Sequence, residues 1–79
     1  MNETKGVFKM TNFIDLLYDM TDNTKHGLDG AKKNALTMYK IAKQAVIDTG
    51  KLPTQLKGTQ VWENYCVSQK VCNFLGVRI

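Results

Sequence analysis

Apolar residues recur along most of this chain at the spacing of a helix face, and three stretches carry the pattern. In the longest, Asp29 to Gly50, seven residues (Ala31, Ala35, Met38, Tyr39, Ala42, Ala45 and Val46) fall on one contiguous face at about 100° per residue. Four of the seven are alanines, so a neighbouring helix can approach closely, with Met38 and Tyr39 filling the margins. Asp29 suits the N-cap, where its carboxylate accepts bonds from amides that have no helical partner. Gly50 suits the closing position, where a left-handed backbone meets no Cβ clash.

The first stretch runs from about Asn12 to Asn23, with Thr11 or Asn12 as cap. Phe13, Leu16, Leu17 and Met20 form its apolar stripe, flanked by Ile14 and Tyr18, while Asp15, Asp19 and Asp22 take the opposite face. The connector TKHGLDG holds two glycines and reads as a short turn between antiparallel helices. After the central helix, Pro53 stops continuation and pushes Leu52 toward extended geometry. Leu52 and Leu56 are placed to tack residues 51–58 onto the core as one short helical turn. The last stretch starts with Thr59 as cap and ends at Gly76, followed by apolar Val77. Its broad face of Val61, Tyr65, Val67, Val71, Cys72, Phe74 and Leu75 is expected to be buried. The β-branched and aromatic residues over 65–72 also suit a strand, but the caps at both ends decide for a helix.

The expected fold is all-α, a small three-helix bundle over residues 11–79 with a flexible N-terminal arm over residues 1–10. The first helix is expected antiparallel to the central one, with the last packed across them. The expected core is Phe13, Leu17, Met20, Ala35, Met38, Ala42, Val46, Tyr65, Val71 and Leu75. A chain of 79 residues is near the lower limit for such a core, because chains this short bury only about 60% of their unfolded surface.

Charge is laid out unevenly. Residues 1–29 carry five acidic side chains against three lysines, and residues 30–60 carry six lysines against Asp48 alone. Lys32, Lys33, Lys40 and Lys43 collect on an arc beside the apolar face, interleaved with Leu36 and Ile47. That arc is either a solvated flank whose lysine stems cover the two apolar residues or a docking face for an acidic partner. Ten of the eleven basic residues are lysines and Arg78 is the only arginine. Arginine is the usual bidentate reader of guanine, so this bias weakens base reading while leaving lysine contacts to phosphate open.

Cys66 and Cys72 lie six residues apart, about 9 Å along a helix axis and on different sides. That spacing does not permit a disulfide within one helix. Free thiols and no apolar signal core favour a reducing cytoplasm. No apolar run approaches the roughly 20 residues of a spanning helix, so no membrane partner is expected.

Catalytic and cofactor chemistry finds little to work with. Ser68 is the only serine and His26 the only histidine; a pairing of His26 with Cys66 or Cys72 lacks a third orienting group. The chain has no CxxC, HExxH, EF-hand or phosphate-loop pattern, and neither a metal nor a cofactor is expected. The three aspartates of the first helix read as a solvated face.

One stripe resists simple burial. Trp62, Cys66, Gln69 and Asn73, at i, i+4, i+7 and i+11, lie beside the apolar arc of the last helix. Trp62 either caps the edge of a small core or anchors an interaction face, with two amides around it. Two functions follow. The first is a small non-enzymatic protein that docks on a larger protein and inhibits or adapts it, as virus-encoded inhibitors of host or defence machinery do. Its candidate partner-binding residues are Trp62, Gln69, Asn73, Lys32, Lys33, Lys40 and Lys43. The second is a small DNA- or RNA-binding regulator that sets Lys32, Lys33, Lys40, Lys43, Lys51 and Lys57 on phosphates. Ala45 through Thr59 has the outline of a helix-turn-helix, but its connector from Gly50 to Gly58 exceeds the 3–4-residue turn of that motif. A homodimer through the remaining apolar edge of the last helix is a further possibility.

Overall fold

The computed structural model describes residues 13–79, so the expected N-terminal arm and the Thr11 or Asn12 cap lie outside the described residues. Four helices make up 82% of the described residues, and no strand occurs among them. They are α1 (Phe13–Met20), α2 (Asn23–Thr49), α3 (Pro53–Leu56) and α4 (Gln60–Leu75). Helices α1, α2 and α4 form the expected all-α bundle, and α3 is the short turn anticipated after Pro53.

Local chemistry sets most of the ends. The Thr59 side chain accepts from the Trp62 amide at 3.3 Å and donates to the Leu56 carbonyl at 2.6 Å, coupling α3 to the start of α4. At the other end of α4, Gly76 at φ 78° lets its amide bond Asn73 O, while the Val77 amide bonds Cys72 O at 2.8 Å. These two bonds close a Schellman turn. Gly50, at φ 70°, closes α2 by donating to Ile47 O.

The start of α2 departs from expectation. Asp22, not Asp29, is the N-cap, accepting from the Thr24 amide at 2.9 Å. The expected TKHGLDG turn therefore begins as a helical turn, and the true connector is only Thr21–Asp22. Gly27, at φ 76° and ψ 161°, kinks the helix, and Asp29 falls in the first turn beyond the kink. Asp19 fastens this corner: its carboxylate pairs with Lys25, and its carbonyl meets His26 Nε2 at 3.0 Å.

The buried centre is small and lies mostly between α2 and α4. Ala31, Ala35, Met38 and Ala42 are buried on α2, Ser68 and Cys72 on α4, joined by Leu17 and Leu56. The Cys72–Ala35 and Tyr65–Tyr39 contacts run in opposite chain order, so α4 lies antiparallel to α2. Of the ten expected core residues, Leu17, Ala35, Met38 and Ala42 are buried. Phe13, Met20, Val46, Tyr65, Val71 and Leu75 are only partly so.

Two placements on α4 lie outside its expected buried face or depart from it. Ser68 is fully buried, its hydroxyl donating to Asn64 O at 2.8 Å with a second bond to Tyr65 O at 3.0 Å. Phe74, expected inside, is 88% exposed. Close approach to the alanines of α2 rotates the small side chains of α4 inward and leaves the large ring outside. Across the bundle, Asn34 Nδ2 donates to Met20 O at 2.8 Å and holds the end of α1 against α2.

Candidate functional site

The antiparallel pairing of α2 and α4 gathers three aromatic side chains from both helices into one row. Tyr39 and Tyr65 stack with ring centroids 5.7 Å apart at 29°, and Trp62 meets Tyr65 at 5.3 Å and 42°. All three are partly buried, so the row has one side against the bundle and one open. Such pairs favour offset or tilted geometries because the ring faces are negative and the edges positive. The Tyr65 phenol is held above its usual range, first by its hydrogen bond to the Tyr39 hydroxyl and then by burial; the nearby Lys43 ammonium opposes the rise.

The lysines divide around this row. At about 100° per residue, Lys32, Leu36, Tyr39 and Lys43 share one stripe of α2. Lys43 borders the aromatic row and Lys32 lies on the same stripe two turns toward the start of α2, while Lys33 and Lys40 lie on the outer arc and are exposed. On α4, Trp62, Gln69 and Asn73 share the stripe next to Tyr65, with Gln69 partly buried and Asn73 exposed. Five of the seven residues singled out in the sequence thus meet on one edge, and Lys33 and Lys40 extend it outward. Leu36 is half-buried, but Ile47 is 58% exposed, so lysine stems do not cover both.

Sequence reasoning missed Tyr39 and Tyr65 as members of this edge, assigning Tyr39 to a margin and Tyr65 to the core. Tyr65 lies three residues after Trp62, which is one helical turn and signal enough for an aromatic pair. The partnership with Tyr39 needs the pairing of two helices and has no local signature.

Of the remaining reactive groups, only Cys66 lies on the Trp62 stripe. Cys72 is buried and its thiol donates to Ala35 O at 3.4 Å, with burial pushing its pKa up. Cys66 is partly buried, and both thiols are free. His26 is exposed at the α1–α2 corner. Among the described residues no group of three or more His, Cys, Asp or Glu side chains is arranged to hold a metal, and no helix is long and apolar enough to cross a membrane. Comparisons of the chain with protein-family models, curated proteins and solved structures give no match.

Proposed function

We propose that this chain is a small non-enzymatic binding protein that docks on a larger protein partner through the Trp62–Tyr65–Tyr39 edge and inhibits or adapts it. The carrying observation is the stacked aromatic row, half open and bordered by Lys43. Large aromatics held in one geometry by their neighbours lose little freedom when a partner covers them, which is the chemistry of interface hot spots. Lys43 beside the row, Lys32 two turns away on the same stripe, and Lys33 and Lys40 further out favour an acidic partner surface and speed its approach. Gln69 and Asn73 supply polar contacts at the rim.

A nucleic-acid-binding role is the second reading, because Lys33, Lys40, Lys43, Lys51 and Lys57 are all exposed and phosphate contacts need little beyond accessible ammonium groups. The deciding experiment is capture from the source cell's lysate on the tagged chain, with and without nuclease. Docking on protein requires one protein retained after nuclease and lost with Trp62→Ala, with the circular dichroism of the variant unchanged. Retention that vanishes with nuclease, together with a shallower salt dependence for the Lys40→Glu, Lys43→Glu double variant, decides for nucleic acid.

A further inference from the structure

The side of α4 turned away from the aromatic row carries a second surface, and it is apolar. Tyr18 and Phe74, 57% and 88% exposed, stand between two adjoining depressions that share Val71. One, of about 350 Å³, is lined beyond these residues by Leu75 and the Thr21–Asn23 corner; the other, of about 460 Å³, by Val67 and Lys70.

We propose that this face is a two-fold homodimer interface, in which Phe74 of each copy enters the depression beside Tyr18 and Val71 of the other. Two features select a second copy over other occupants. The projecting ring and the hollow that fits a ring lie on one surface, so the surface is complementary to itself, as an isologous interface must be. The charges are also arranged for self-pairing. Asp22 borders one depression and Lys70 the other. A two-fold axis between them reverses one copy relative to its mate, so Lys70 of each copy meets Asp22 of the other. The Asp22 carboxylate is ionised near neutrality, since bonds from Thr24 hold it below its usual range. An unrelated apolar partner would need neither the matching knob nor the charge of opposite sign at each end.

The test is sedimentation equilibrium of the full chain from about 1 µM to about 500 µM, a range that covers micromolar to submillimolar dimers. The expected result is a concentration-dependent dimer. Phe74→Asp should raise its dissociation constant at least about thirty-fold, the loss typical of a hot-spot residue, with circular dichroism unchanged. Phe74→Ser carries the same expectation without adding charge at the helix end. Lys70→Glu should weaken the dimer by placing like charges together, and adding Asp22→Asn, which preserves the cap, should recover part of the loss. A monomer across the whole range overturns the proposal and gives the groove to another occupant. So does a dimer that survives Phe74→Asp, or one abolished by Trp62→Ala instead.

Discussion

The Cys72 thiol donates to the Ala35 carbonyl 3.4 Å away, at a point where both residues are completely buried. This contact marks how near α2 and α4 come. A carbonyl in the middle of one helix is reachable from a side chain as short as cysteine only because alanines face it. The separation of the two helices, and with it the spacing of the Tyr39–Tyr65 stack, is set by small side chains.

Enlarging one of them should force the helices apart. Ala35→Leu is expected to destabilise the fold by about 1–3 kcal/mol, the usual range for overpacking, read from the urea midpoint. Ser68→Ala is expected to be nearly neutral, because the hydroxyl bonds carbonyls of its own helix and its removal leaves no donor stranded. An Ala35→Leu variant as stable as the parent contradicts the close approach.

The caps of α4, the stop at Gly50 and the break at Pro53 were legible in the sequence because each is a local arrangement of one residue and its own backbone. What the sequence concealed lies between helices. Val61, Tyr65, Val67, Val71, Cys72, Phe74 and Leu75 together cover more than half the circumference of α4, so hydrophobicity alone does not choose its inward direction. Cys72 is buried as expected, and Ser68 joins it because α2 presents alanines, a steric criterion that a polarity scale reads backwards. The candidate edge was half legible: the Trp62–Gln69–Asn73 stripe follows from helical period. Its meeting with Tyr39 and Lys43 follows only from the pairing of α2 with α4. Asp29 was mistaken for the cap because Asp22, seven residues earlier, offers the same chemistry beside a threonine whose amide and hydroxyl both reach it.

Alkaline pH should expose the contribution of two protons that the fold holds, one on buried Cys72 and one on half-buried Tyr65. Burial raises the Cys72 pKa above 9.0, and the bond to Tyr39 followed by burial raises that of Tyr65 above 10.0. In each case the unfolded chain releases its proton first as pH rises. The associated stability is complete below pH 9.0; it declines through the unfolded values and is gone above the folded ones. Urea midpoints should therefore be flat up to about pH 9 and fall beyond it, with a smaller fall in a Cys72→Ala, Tyr65→Phe variant. A parent whose midpoint ignores this range contradicts both assignments. In native protein a thiol reagent should modify Cys66 well before Cys72.

Gly27 holds φ 76° and ψ 161°, a region essentially closed to residues with a Cβ. Beyond its own stretch of backbone, nothing lies within 4 Å of where a methyl would project, so the obstacle is backbone strain and not crowding by other parts of the fold. Gly27→Ala is expected to cost about 1–3 kcal/mol, measured by urea unfolding. A neutral result would mean that the kink relaxes into continuous helix at no cost.

The hydrogen bond from Asn34 to Met20 O has a consequence for how the molecule breathes. With eight residues, α1 is shorter than the roughly 12–15 that sustain an isolated helix in water, so it is helical only while Leu17 is buried and Asn34 grips its end. Tyr18, a wall of the apolar groove, is in place only in that state. Detachment of α1 and occupation of the groove therefore compete, and anything seated there must slow amide exchange along α1 in proportion to its affinity. The groove belongs to the docked state of α1 alone.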